Sequence, residues 1–273
     1  MSWLMRVATW NMAFWSHRGA CDRAWRWLLD TLKPDVALVQ ESVVPDWVAA
    51  SGWSVQWERA YLEGKQPWGT GIVSRHPIEP ARLADLDAWL TTLPPALPGK
   101  GGLRGIHRAD GWLASGVVPV PSLGPTTFYS VHSPSYAIER TRLRGVDIAA
   151  MKLKNNPDLW FTDVLFFFLR NRMDGLVVGG DFNASRLLDQ TLGERGNNEF
   201  FDRIASEGFV SLHRKFHDRD ERTFFQAGKS PHQLDYLYAD PKVAARAQSC
   251  HVVPYEEIRE YSDHAPLVAE FAD

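Results

Sequence analysis

Apolar and polar positions follow two periods along this chain. Residues 6–10 form a short β-favouring run, and Val36-Ala37-Leu38-Val39 is an unbroken apolar one. Between them Trp25, Leu28, Leu29 and Leu32 fall at i, i+3, i+4 and i+7, the spacing of an amphipathic helix stopped by Lys33-Pro34. A β-α-β order with an apolar second strand predicts sheet layers covered by helices. Residues 55–59, 71–74, 113–120 and 126–131 read as further strands separated by Gly and Pro. In the second half, Leu143, Val146, Ala150 and Leu153 make an apolar helical stripe, and residues 160–170 and 198–206 predict two more helices. Leu176-Val177-Val178 reads as a buried strand, with late strands at 234–238 and 267–271. Residues 80–111, rich in Pro, Gly and Leu, read as an inserted surface loop, so a single domain over 1–273 is expected.

Several of these strands finish in oxygen-bearing or imidazole residues: Thr9-Trp10-Asn11, Val39-Gln40-Glu41, Val131-His132-Ser133, Gly180-Asp181-Phe182-Asn183, Gln233-Leu234-Asp235-Tyr236 and Ser262-Asp263-His264. In layered α/β folds ligands gather where strands end, so groups far apart in sequence can converge there. Glu41, Asp181 and Asp263, with the amide oxygens of Asn11 and Asn183, are hard donors suited to Mg²⁺ or Mn²⁺. His132 and His264 add proton donors or acceptors that work near neutral pH. A hard metal, carboxylates and imidazoles together suit hydrolysis of a phosphate ester. Taken singly, each group has an ordinary reading: Glu41 a solvated strand end, Asn11 and Asn183 turn formers, Asp181 a helix cap. Asp235, on an apolar strand, needs a partner, and His264 would supply one.

Composition narrows the class. The chain has 273 residues, 30 Lys+Arg against 33 Asp+Glu, and 45% hydrophobic content, which excludes global disorder and a strongly basic nucleic-acid coat protein. The longest apolar run, Val164-Leu165-Phe166-Phe167-Phe168-Leu169, is too short to span a bilayer. The first residues lack a secretion signal's charged start and apolar stretch, and two cysteines cannot build a disulfide framework. A cytoplasmic protein without a membrane span is therefore expected. The many tryptophans, Trp15, Trp68, Trp89 and Trp112 among them, read as core or loop packing before base stacking.

The ordered series Trp10-Asn11, Gln40-Glu41, Gly69-Thr70-Gly71-Ile72-Val73-Ser74-Arg75, His132-Ser133-Pro134, Gly180-Asp181-Phe182-Asn183, Leu234-Asp235-Tyr236 and Ser262-Asp263-His264 resembles the endonuclease/exonuclease/phosphatase superfamily. That group includes pancreatic-type DNase, exonuclease III-like repair nucleases, inositol-polyphosphate phosphatases and neutral sphingomyelinases. The resemblance covers nearly the whole chain in the family's order. It implies a four-layered α/β sandwich, two mixed β-sheets face to face with helices outside. It also implies roles: Glu41 as principal metal ligand assisted by Asn11, Asp181 orienting the water, Asn183 positioning water and phosphate. His264 would contact the scissile phosphate, with Asp235 holding its ring and Asp263 near the metal. His132 matches the DNase-like histidine, a general acid or phosphate ligand whose usual glutamate partner has Glu63 as its nearest candidate here. Residues 223–225 stand where repair nucleases carry a Thr-Phe-Thr/Trp segment.

The resemblance therefore implies a Mg²⁺-dependent phosphodiesterase, with Mn²⁺ as a substitute. A nuclease is expected, because both histidines match DNase-like members. The same set would serve a small phosphate ester or a lipid headgroup of inositol phosphate or sphingomyelin type. A catalytically inactive scaffold would have no need for Asn11, Glu41, Asp181, Asn183 and His264 together. Charge also favours a nucleic acid substrate: residues 138–154 carry five cations against two acids, 213–232 five against three, and 100–110 three against one. These residues do not choose between DNA and RNA, endo and exo action, one metal and two, or monomer and oligomer.

Overall fold

The computed structural model describes residues 4–59, 68–92, 111–133, 160–191, 196–226 and 231–272. The first half of the chain contributes β1 (Met5–Asn11), β2 (Val36–Ser42), β3 (Ser54–Arg59), β4 (Gly69–Ser74), β5 (Glu79–Pro80), β6 (Leu113–Val120) and β7 (Gly124–His132). The second half adds β8 (Leu176–Asp181), β9 (Val210–Ser211), β10 (Asp235–Ala239), β11 (Ala247–Val252) and β12 (Leu267–Phe271). They form two mixed six-stranded sheets, ordered β11-β12-β1-β2-β4-β3 and β5-β6-β7-β8-β10-β9.

The expected β-α-β unit is present. Strands β1 and β2 pair in parallel and are joined through α1 (Cys21–Arg26), which widens into a π-helical turn over Trp27–Leu32. Its stripe places Trp25, Leu28 and Leu29 in the core, and Lys33 ends it in left-handed backbone at φ 54°. One core lies between the sheets: Leu38, Val39 and Ile72 from the first meet Val118, Phe128, Val177 and Leu237 from the second. A second core lies outside the second sheet. There Val131, Val178, Tyr236 and Tyr238 pack under α2 (Ala84–Thr92), α3 (Trp160–Leu169) and α4 (Asn197–Ser206) through Leu86, Phe161, Leu165, Phe200 and Phe201. The result is the expected α/β sandwich.

Helix α2 corrects the reading of residues 80–111 as a surface loop. Leu83, Leu86 and Leu90 are buried against the second sheet, and burial of each leucine is worth roughly 1.5–3 kcal/mol, enough to order a helix that Pro and Gly downstream obscure. The helix expected around Leu143 to Leu153, the basic segment 100–110, Glu63 and Pro134 lie outside the described residues. Among the described residues, no helix is long and apolar enough to cross a membrane.

Candidate active site

Pairing register brings the polar strand ends together. Strands β7 and β8 run parallel with His132 opposite Asp181, and antiparallel β10 begins with Asp235 opposite the same Asp181. Parallel β1 and β2 end side by side with Asn11 opposite Gln40. Parallel strands finish at one edge and an antiparallel neighbour starts there, so five strands deliver side chains to one place. Gly180 makes the β7–β8 approach possible: its φ is +155°, and a Cβ there would lie 1.8 Å from the carbonyl oxygen of Val131. Gly180→Ala is expected to destabilise the protein by about 3 kcal/mol or more, because backbone rather than a flexible side chain must give way. Denaturant midpoints of variant and wild type check this; equal midpoints would place the tight approach elsewhere.

Glu41 owes its direction to a bulge. The β2–β4 register shifts between Val39 and Ser42, and Glu41 itself adopts φ +43°. An extra residue of this kind re-aims a side chain, and left-handed backbone outside glycine costs of order 1–3 kcal/mol. The neighbouring Gln40 points into the core, where its amide donates to Ser130 Oγ at 2.9 Å. Glu41 instead meets Asn11, whose Nδ2 donates to Glu41 Oε1 at 3.2 Å and to Asp181 Oδ2 at 2.9 Å, linking the two sheets. His132 Nε2 lies 3.2 Å from Glu41 Oε1 and 4.0 Å from Asp181 Oδ2. Burial alone would raise the Glu41 carboxyl, but the hydrogen bond and charge of His132 and the Asn11 amide bring it down to about 2. Asp181 goes the other way: burial, with Asp235 adding, pushes it up to about 6 against the pull of His264 and His132. His132 is raised, since Glu41 and Asp181 outweigh its burial.

His264 is held from every side. Its Nδ1 lies 2.9 Å from Asp235 Oδ2, its backbone N–H donates to Ser262 Oγ at 3.0 Å, and its carbonyl accepts the Trp10 indole N–H at 2.8 Å. Ser262 in turn donates to the Asn11 carbonyl at 2.7 Å, so one hydroxyl ties the His264 loop to the end of β1. Thr223 Oγ1 accepts the backbone N–H groups of Leu234 and Asp235, and the Phe224 ring sits 4.8 Å from the imidazole. Burial would lower the His264 pKa, but the charge and hydrogen bond of Asp235, with Asp181, raise it to about 10. A raised histidine stabilises the fold fully below its unfolded value near 6.5, and that contribution is lost as pH rises through about 10. Asp235→Asn removes the main raising charge while burial still lowers, so His264 is expected to lose its proton at least one unit earlier. The alkaline limb of a kcat/KM pH profile should move down accordingly; an unmoved limb would detach it from this pair.

The remaining candidates divide. Asn183, in left-handed backbone at φ +48°, donates its amide to the Ser133 carbonyl at 2.7 Å, while its N–H is accepted by Asp181 Oδ1 at 2.8 Å. The Asn11 amide shows its nitrogen to the two carboxylates, and its oxygen accepts the Ala13 N–H at 2.8 Å, so oxygen ligation requires the amide to turn. The two acid–imidazole groups that gather potential ligand atoms, Glu41-His132-Asp181 and Asp181-Asp235-His264, do not include Asp263, whose carbonyl accepts the Phe225 N–H. Sequence reasoning missed the aromatic walls of His132: Trp68 and Trp112 approach its ring at 5.4 and 5.2 Å. Ring contacts across three distant segments leave no local signal. Of the cations in 213–232, Lys215 does not rim the cleft; it donates to the Ala244 and Ala247 carbonyls.

The donor set fits a divalent cation. Glu41, His132 and Asp181 offer atoms within 4.8 Å of one another, as do Asp181, Asp235 and His264. The acids outnumber the imidazoles and oxygen donors predominate, as a hard cation requires.

Residues 8–264 match the family model described as Endonuclease/Exonuclease/phosphatase family. No curated protein matches the chain. Among solved structures, a 3′-5′ exonuclease (NExo) from Neisseria meningitidis superposes with a TM-score of 0.67 at 20% identity, over 98% of this chain and 100% of that one. An AP endonuclease from Archaeoglobus fulgidus gives 0.64 at 20% identity, over 98% and 99%. A 3′ phosphatase NExo from Neisseria, bound to a product DNA hairpin, gives 0.64 at 19%, over 98% and 100%. At these identities the likeness establishes the shared fold.

Proposed function

Because the chain belongs to the endonuclease/exonuclease/phosphatase family, whose members are metal-dependent phosphoester hydrolases, we propose that it is a phosphodiesterase that hydrolyses nucleic acid by in-line attack of water. The observation that carries this reading is the convergence of Glu41, His132, Asp181, Asp235 and His264 at one end of the two packed sheets. Glu41, with Asn11 assisting once its amide turns, would hold Mg²⁺ or Mn²⁺. A bound ion of that kind supplies positive charge against the phosphoryl oxygens.

Asp181 orients the attacking water and takes its proton as the new O–P bond forms. A carboxyl near 6 is ionised at neutral pH yet close enough to it to accept a proton effectively. The imidazolium of His264, fixed by Asp235, hydrogen-bonds the scissile phosphate as its charge grows. His132, also raised, donates a proton to the leaving oxygen as the old P–O bond breaks. Asn183, pinned to Ser133, positions the water and phosphate. The DNA held by the Neisseria 3′ phosphatase supports nucleic acid as the substrate class.

The test is a panel of DNA and RNA oligonucleotides, inositol phosphates and sphingomyelin, each assayed with Mg²⁺, Mn²⁺ and EDTA. Metal-dependent cleavage of an oligonucleotide is expected. Turnover confined to inositol phosphates or sphingomyelin would move the assignment to the small-ester branch, and no turnover of any substrate would leave only binding.

A further inference from the structure

Trp15 stands 41% exposed, one of few large hydrophobic side chains of the described residues to face solvent. Single exposed apolar side chains are ordinary on protein surfaces. Here the position is what matters. The loop after β1 is tied to the candidate active site at two points: the Ala13 N–H donates to Asn11 Oδ1 at 2.8 Å, and the Phe14 N–H to the Glu41 carbonyl at 3.0 Å. Ala13 takes left-handed backbone at φ +45°, and the Ser16 and His17 N–H groups both donate to its carbonyl at 3.0 Å, closing a tight turn that presents Trp15. The turn that presents the indole is therefore held by Asn11 and Glu41 themselves.

From there aromatic rings lead inward. Trp15 meets Trp68 at 6.3 Å edge to face, and Trp68 meets His132 at 5.4 Å. Trp68 is buried, so its place is packing, whereas Trp15 has ring surface to offer. Arg18 lies with its guanidinium carbon 5.0 Å from the Trp15 ring and 5.4 Å from Phe14. It is exposed, and no carboxylate of the described residues pairs with it. An exposed indole beside an unpaired guanidinium is the combination that holds a base by its face and a phosphate by its charge.

We propose that Trp15 and Arg18 form a nucleotide shelf at the mouth of the active site, where one unpaired base near the scissile phosphate stacks on the indole while the guanidinium contacts a neighbouring phosphate. This rests on the nuclease reading and narrows it. Inside a duplex both faces of a base are covered by its neighbours, so a stacking shelf takes only a base that is unpaired. The substrate class is therefore a single strand or a frayed end, read without base sequence because every base has a π-face.

The experiment compares three oligonucleotides of one length: a single strand, the same strand carrying stable abasic residues throughout, and the single strand annealed to its complement. Wild type, Trp15→Ala and Trp15→Phe are assayed with Mg²⁺, and binding of a labelled strand is followed by anisotropy in EDTA. Wild type should show a KM about tenfold lower for the based strand than for the abasic one, and it should prefer the single strand to the duplex. Trp15→Ala should bring the based-to-abasic KM ratio close to one, and Trp15→Phe should restore part of it. A ratio unchanged in Trp15→Ala, with the strand still cut, would overturn the shelf and leave the nuclease reading standing. No strand cleavage while bis-p-nitrophenyl phosphate is hydrolysed would overturn both.

Discussion

Asp181→Asn is expected to cut turnover by at least about a hundredfold while the protein melts within a few degrees of wild type. Asparagine keeps the shape of the side chain but cannot take a proton from water, and loss of a positioned base costs about 10²- to 10⁴-fold. The fold should tolerate the change because two effects oppose each other. Asp181 is buried beside Asp235, and its carboxyl is pushed up to about 6, so removing its charge relieves a strain on the folded state. Against that, both carboxylate oxygens accept, from Asn183 N–H and Asn11 Nδ2, and an amide can serve only one of them as acceptor. Single-turnover rates on an oligonucleotide and melting curves in EDTA decide the matter together. A near-wild-type rate with an unchanged melting curve would remove Asp181 from its assigned role.

Glu41→Ala should weaken divalent-metal binding by about a hundredfold or more, and turnover with it. Glu41 is the permanent anion of the cluster: held near 2, it is charged at every working pH, whereas Asp181 is partly protonated at mildly acidic pH. Hard cations need such a ligand, and the loss of even a supporting residue behind a metal ligand typically costs 10- to 100-fold in affinity. Mg²⁺ or Mn²⁺ titrations followed by calorimetry read binding without relying on catalysis. An affinity equal to that of wild type would exclude Glu41 as a ligand, whatever happens to turnover. The variant also strips His132 of its hydrogen-bonded acid, so the raised pKa of that imidazole should fall toward its ordinary range.

The long, strongly patterned elements were legible from periodicity alone. Strand β12 spans the residues 267–271 expected for it, and the helix through Trp25 and Leu29 follows its stripe. Short or irregular pieces were not. Strands β5 and β9 are two residues each, too brief for any period, and exist because a neighbouring strand offers them hydrogen bonds. Strand β11 carries exposed Gln248 and His251 between buried residues and pairs at the sheet's edge, so its sequence lacks a continuous apolar run.

The candidate site divides in the same way. Chain chemistry by itself determined which residue types were present at the strand ends, in what order, and hence the class of reaction they suit. Glu41, His132, Asp181, Asp235 and His264 were all named from that pattern. Tertiary structure decided how they meet. Strand register sets Asp181 between His132 and Asp235, a bulge with left-handed backbone turns Glu41 toward Asn11, and one serine hydroxyl ties His264 to β1. It also decided the protonation pattern, since one kind of carboxyl is held near 2 at Glu41 and near 6 at Asp181 by burial and neighbouring charge. Those shifts depend on distances between segments far apart in the chain, which no local pattern encodes. Local periodicity reports what each segment prefers; pairing register and burial, which are properties of the assembled sheets, set the geometry and the charge.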